Sequence, residues 1–197
     1  MDLEIVKLSP DRLEGYLNFF DTVAFADHHE WSGCYCVEPH LGFQAAGELE
    51  KGTASKCREH AIDFITTGKL RGYLAYRDGE VVGWCNVNDK ANYEKIAMIK
   101  ELQTEEDHRL RIKSVMCFVI APASRGQGVA TAILRQVIAD ARAEGYDAVE
   151  AYPAAGADNA YDAYGGPAAM YEKQGFESLR GFDVGFMSGS IVRKYLK

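Results

Sequence analysis

The sequence predicts a single α/β (α+β) domain over residues 1–197, a mixed sheet of about seven strands flanked by helices. Three observations predict it. Asp78-Gly79 separates two strand-like runs, Gly72 to Arg77 and Val81 to Val87, and this dipeptide tolerates positive φ at both centres of a two-residue hairpin turn. An apolar run from Val115 to Ile120, a helical pattern ending near Glu144 and a short run from Ala148 to Tyr152 make a strand–helix–strand crossover, which places the two strands parallel. Strand-like runs also stand at both ends, Leu3 to Leu8 and two more within Phe176 to Lys197.

The elements follow in order. Ser9-Pro10-Asp11 opens a helix expected to run through Phe20, since Pro suits a first helical turn. From Asp27 to Gly42 the periodicity disappears among aromatic, His and Cys residues, which predicts a loop. Thr53 or Ser55 caps a second helix with Cys57, Ala61, Phe64 and Ile65 on one side and Gly68 as its stop. A short helix is expected around Ile96 to Leu102 before the chain enters Ile112 to Ile120. In the crossover helix Val129, Ile133, Val137 and Ala141 line one stripe that Ala130, Leu134 and Ile138 widen, so it should lie on a sheet. Residues 153–166 read as a long loop, Pro167 starts a helix closing at Gln174-Gly175, and the last strand puts Ile191, Arg193 and Tyr195 on one face with Val192 and Lys194 on the other.

Arg125-Gly126-Gln127-Gly128-Val129-Ala130 joins the apolar strand to the crossover helix. The glycines let the backbone approach an anion, the first-turn N–H groups lack helical partners, and the helix dipole favours negative charge there. A tight turn without chemistry is the bland alternative. The Lys and Ser or Thr of a P-loop are missing after Gly128; a dinucleotide fingerprint fails at Thr131, although Glu150 stands at about the right spacing for a ribose.

The pattern Arg or Gln-x-x-Gly-x-Gly or Ala is met by Arg125, Gly128 and Ala130, with Pro122 before it and Tyr171-Glu172-Lys173-Gln174-Gly175-Phe176 after it. These three ordered matches, over residues 113–145 and 167–178, resemble the GCN5-related N-acetyltransferase (GNAT) superfamily. The resemblance implies a mostly antiparallel central sheet with one splayed parallel pair forming an acyl-CoA cleft. It implies acetyl-CoA (coenzyme A) as cofactor, its pyrophosphate on the backbone N–H groups of Gly126, Gln127, Gly128, Val129 and Ala130 with Arg125 nearby. It also implies a bulge at the end of the strand, where Phe118, Val119 and Ile120 pair with the pantetheine arm and can stabilise an oxyanion. Tyr171, otherwise a packing residue, is the implied acid for the leaving thiolate. The Glu that many relatives carry early on the fourth strand is absent from Lys113-Ser114-Val115, and Asp89, Glu94 and Glu101 read as solvated charges, so no base is assigned. An alkylammonium still has to lose its proton, at about 4.6 kcal/mol at pH 7.

The expected activity is therefore transfer of an acetyl group to a primary amine by direct attack in a ternary complex, with a non-catalytic acyl-CoA sensor and a nicotinamide-nucleotide binder as alternatives. A net charge of -7 opposes nucleic acid and suits a cationic small-molecule or peptide amine. No run matches a membrane span, and the acidic start, Met1-Asp2-Leu3-Glu4, predicts a cytoplasmic protein. The C-terminal strands could support a homodimer. Five cysteines predict free thiols rather than a disulfide framework. His28, His29, Cys34, Cys36 and His40 invite a zinc reading, but Cys34-x-Cys36 is tighter than structural zinc spacing; packing beside the acceptor pocket is expected.

Overall fold

A computed structural model describes residues 2–42, 54–155, 162–185 and 187–197. Seven strands form one sheet in the order β1-β2-β3-β4-β5-β7-β6. They are β1 (Glu4–Lys7), β2 (Gly72–Arg77), β3 (Glu80–Asp89), β4 (Ile112–Ile120), β5 (Ala148–Ala151), β6 (Glu177–Asp183) and β7 (Ser188–Tyr195). Only β4 and β5 pair in parallel; every other neighbour is antiparallel. The expected mixed sheet, its strand number and its parallel pair are all present.

The helices named here are α1 (Leu13–Asn18), α2 (Ala54–Thr66), α3 (Glu94–Met98), α4 (Val129–Ala143) and α5 (Ala168–Glu172). The first differs from expectation. It begins as a 3-10 turn at Pro10–Arg12 and, beyond α1, widens into a π turn at Phe19–Val23, which carries Phe19 and Phe20 into the core. The 153–166 loop falls partly outside the described residues, and its last part forms a 3-10 turn at Asp162–Gly165. The Asp78-Gly79 hairpin has the expected left-handed pair, φ +53 and +82.

Each face of the sheet is covered differently. On one, α4 lays Val129, Ile133, Leu134, Val137, Ile138 and Ala141 on Tyr73, Ala75, Cys85, Val87, Val115 and Val149, a single apolar cluster that α5 extends. Burying each such aliphatic side chain contributes about 1.5–3 kcal/mol. On the other, α1, the π turn, the 35–41 segment and α2 cover β1 to β4 around Trp84, while α3 and neighbouring turns cover β5, β7 and β6 around Tyr93, Tyr152 and Ile191. Two apolar clusters therefore share the second face. They meet over β4.

A bulge in β4 sets what each face receives. Val115 pairs with Val87 and Cys117 with Asn86, leaving Met116 as the extra residue. Strict alternation would put residues 115, 117 and 119 on one face. The bulge reverses that phase: Phe118 and Ile120 join the α4 face, whereas Cys117 and Val119 join the α1–α2 face.

Candidate active site

The opening between β4 and β5 comes from a difference in strand length and direction. The pair is in register only from Ile112↔Ala148 to Val115↔Ala151, after which β4 continues to Ile120 along β3. The chain leaving β5 turns the other way. Ala154 bridges Gly189, and Pro153 O accepts from Ser190 N–H at 3.1 Å, so this segment follows β7. Phe118, Val119 and Ile120 keep their β3 partners Cys85, Trp84 and Gly83, and their other edge has no β5 strand beside it. The bulge lies at Met116, upstream of the strand end where it was expected.

At the end of β4 a 3-10 turn, Pro122–Ser124, leads into the start of α4. Gly126 and Gly128 have φ of +72 and +79, and a Cβ at either position would meet nothing within 4 Å. Glycine is required here for backbone shape, and the space beside it is open. The first α4 bond runs from Ala132 N–H to Gly128 O at 2.9 Å, which leaves the N–H groups of Val129, Ala130 and Thr131 without a helical acceptor. Val129 is buried, Ala130 is half-buried, and Gly83 on β3 admits this close approach, since a Cβ there would lie 2.9 Å from Val129 Cγ1.

The side chains around this turn are already engaged. Arg125 donates through Nε to Ile120 O at 3.1 Å and through Nη2 to Asp27 Oδ1 at 3.2 Å. The guanidinium in turn holds the Asp27 carboxyl below the usual carboxylate range. Gln127 donates to Ala123 O at 2.7 Å and accepts from Arg77 Nη1 at 2.7 Å. Arg125 thus ties the turn to the 27–42 loop, a link the sequence did not signal, because Asp27 and Arg125 stand 98 residues apart.

Tyr171 lies on α5, fully buried, its ring edge-on to Phe176, and its hydroxyl donates to Gly165 O at 2.6 Å. Burial pushes its phenol well above the ordinary tyrosine range, so it carries its proton at neutral pH. The structure brings Tyr171, Phe118 and Val129 into one apolar cluster, and Gly126 to Ala130 follow directly from the Ile120 end of β4.

Polar side chains collect where the two clusters of the second face meet. His40 Nε2 and Asn86 Oδ1 are 3.3 Å apart, Tyr93 OH donates to the same oxygen at 2.9 Å, and Asn86 Nδ2 donates to Cys36 O at 2.9 Å. Ser114 Oγ lies 3.3 Å from Tyr152 OH, which donates to Glu150 Oε1 at 2.6 Å. Lys90 Nζ donates to the same Glu150 oxygen at 2.6 Å, and Arg193 Nε donates to Glu150 Oε2 at 2.8 Å. Asp107 completes the ion cluster, and its carboxyl is lowered to about 2 against the cost of burial by Lys90, Thr104 and the Lys90 charge.

This arrangement sets aside the nicotinamide alternative. Glu150, the ribose candidate of the nicotinamide reading, is fully buried and bound by Lys90, Arg193 and Tyr152, so it is not offered to a nucleotide. It is also the register partner of Ser114, a cross-strand placement that its distance in sequence hides. The invited metal cluster is dispersed: His28 stacks on Trp31 at 3.9 Å between centroids, while His40 sits on Asn86. Among the candidate bases, Glu94 is paired with Lys69 at 2.7 Å.

The fold recurs in known proteins. A model of the acetyltransferase (GNAT) family matches residues 43–176, well over half of the chain. The chain belongs to the GNAT acetyltransferase family. Among solved structures it is similar to an acetyltransferase of that family from Streptococcus pneumoniae, with a TM-score of 0.58, 16% identity and all of both chains covered. It is similar to the PaiA N-acetyltransferase from Thermoplasma acidophilum in complex with coenzyme A, with a TM-score of 0.57, 14% identity and 99% of each chain covered. A polyamine N-acetyltransferase from Drosophila melanogaster gives a TM-score of 0.60 at 12% identity, covering 99% of this chain and all of its own. These likenesses establish the GNAT fold. No curated protein sequence matches the chain. GNAT acetyltransferases use acetyl-CoA, and the residues present fit it, with open space at Gly126 and Gly128, donors at the start of α4 and, among the described residues, a β4 edge beyond Val115 that β5 does not pair. No helix among the described residues is long and apolar enough to cross a membrane.

Proposed function

We propose that this protein is an acetyl-CoA-dependent N-acetyltransferase that moves an acetyl group to a primary amine by direct attack in a ternary complex. One observation carries the reading: the open helix start at Gly126 to Ala130 and the Phe118 to Ile120 edge, which no described strand pairs on the β5 side, lie at one end of the same strand, beside the β4–β5 opening. When bound, acetyl-CoA supplies an acyl group activated as a thioester.

The chain's own residues do the rest. Backbone N–H groups of Gly126, Gln127, Gly128, Val129 and Ala130 hold the pyrophosphate, aided by the α4 dipole. Arg125, tied to Asp27 and Ile120 O, shapes that turn as much as it adds charge. The edge of Phe118, Val119 and Ile120 binds the pantetheine amides as an added strand would. A main-chain N–H beyond the Met116 bulge donates to the oxygen that gains charge during attack, a contribution worth about 3 kcal/mol in comparable sites. Tyr171 keeps its phenolic proton at Gly165 O and delivers it to the departing sulfur after a small rotation. The acceptor is a small-molecule or peptide amine, attracted by a net charge of -7, and the protein works in the cytoplasm without nucleic acid or membrane.

One observation favours a second reading, a non-catalytic acyl-CoA sensor. Lys113-Ser114-Val115 lacks the carboxylate that many relatives use as base, and the carboxylate in register with Ser114, Glu150, is held by two cations. Calorimetry with acetyl-CoA, followed by free-thiol release with an amine panel, separates the two. Binding with turnover is expected; binding with no release across primary amines selects the sensor. Arg125→Glu with Gly128→Val should abolish binding in a folded protein. Retained affinity would overturn both.

A further inference from the structure

The second face carries a group of sulfurs that acyl transfer does not use. Cys36 Sγ and Cys117 Sγ lie 2.9 Å apart, both residues buried, although 81 positions separate them in sequence. Cys34, an exposed residue, has its thiol hydrogen-bonded to that of Cys36. The backbone on one side of the pair is held in an unusual shape. Cys36 has φ +51, a left-handed conformation that a residue with a Cβ seldom adopts, and it is kept there from both sides. Asn86 Nδ2 donates to Cys36 O at 2.9 Å, and Tyr16 OH donates to Tyr35 O at 2.6 Å. The other thiol belongs to rigid sheet: Cys117 follows the bulged Met116 and is the register partner of Asn86. To bond, the sulfurs need approach by only about 0.9 Å.

We propose that Cys36 and Cys117 are an oxidative modification site, a dithiol that a low-molecular-weight disulfide such as glutathione disulfide converts to a cystine tying the 27–42 loop to β4. Cys34, the residue of the three with exposed surface, is the entry point, although its sulfur is itself buried against Cys36. Its thiolate attacks the oxidant, the oxidant's S–S bond breaks, and one oxidant thiol leaves. Cys36 Sγ then displaces the second oxidant thiol from Cys34, and Cys117 Sγ displaces Cys34 from Cys36. In sum, two protein thiols and one oxidant disulfide give one protein disulfide and two oxidant thiols, with two electrons and two protons passing to the oxidant. Cys34 emerges as a thiol again. Hydrogen bonding among the sulfurs and burial raise the Cys34 and Cys36 thiols above the ordinary range, so thiolate is scarce and the exchange is slow. The same burial shields the product from reductant.

The experiment uses the reduced full chain, incubated natively with glutathione disulfide, then denatured for thiol counting and mapped without reduction. Five thiols are expected to fall to three, with the Cys36 peptide joined to the Cys117 peptide and amide exchange slowed across residues 32–41. Cys34→Ser should slow the same cross-link at least tenfold without changing its identity. Five persistent thiols, a terminal Cys34–Cys36 bridge, glutathione retained on Cys34 or a cross-link between two molecules would each overturn the assignment. An unchanged rate in Cys34→Ser would overturn the entry route. If that variant fails to fold, the wild-type map still decides, since it requires no substitution.

Discussion

The two faces of the sheet have the same backbone between them and opposite chemistry. Under α4 the contact is one apolar cluster, continuous from Tyr73 to Leu196, with its ion pairs, Lys7 and Lys113 to Glu144, confined to the last turn of the helix. On the other face two smaller clusters stand apart, and where they meet runs a polar seam of His40, Asn86, Tyr93, Ser114, Tyr152 and Glu150. The first face is built from area and the second from partners. A lost methylene on the first leaves a cavity; a lost partner on the second leaves a buried polar group or charge.

The largest test of that contrast is Glu150→Gln. It removes the buried one of the two carboxylates that Arg193 and Lys90 share, leaving Asp107 to balance both, and should cost about 3–5 kcal/mol in urea unfolding. A loss under 1 kcal/mol would mean that the seam is hydrated and that the contrast is false. Leu134→Ala, on the apolar face, should cost about 2–5 kcal/mol through cavity formation alone, with a pH-independent effect. These two variants touch separate clusters, so their effects should add.

His40 gives the contrast a pH signature. Burial lowers its imidazole to about 4 from the ordinary 6.5, so the folded protein holds it neutral while the unfolded chain protonates. The stability it contributes is therefore complete above pH 6.5 and is lost as pH falls from 6.5 to 4, by about 3 kcal/mol in all. His40→Gln should flatten that part of the stability profile. An unchanged slope would place the titration elsewhere.

The smallest expected effect concerns the proposed acid. Tyr171→Phe removes one hydroxyl whose partner is Gly165 O, so stability should fall by about 1 kcal/mol, while kcat drops about tenfold to a hundredfold and coenzyme A affinity holds. Equal losses in affinity and kcat would make Tyr171 a packing residue of the apolar face and nothing more.

The sequence by itself determined the apolar face and the glycine turn. Helical periodicity from Val129 to Ala141, the Asp78-Gly79 hairpin, the strand–helix–strand succession and the positive φ that Gly126 and Gly128 supply are local properties, set by neighbours within a few residues. The family pattern around Arg125, Tyr171 and Phe176 is local for the same reason. Only tertiary structure decided the rest. The Met116 bulge reverses which side chains of Phe118, Val119 and Ile120 face α4, and a one-residue shift has no compositional signature. Asp27 with Arg125, Ser114 with Glu150 and Cys36 with Cys117 are pairs joined across long stretches of chain by sheet register and loop path. Charge and hydrogen bonding act through space, so side chains of ordinary composition became an ion cluster, a polar seam and a thiol pair only when the sheet brought them together.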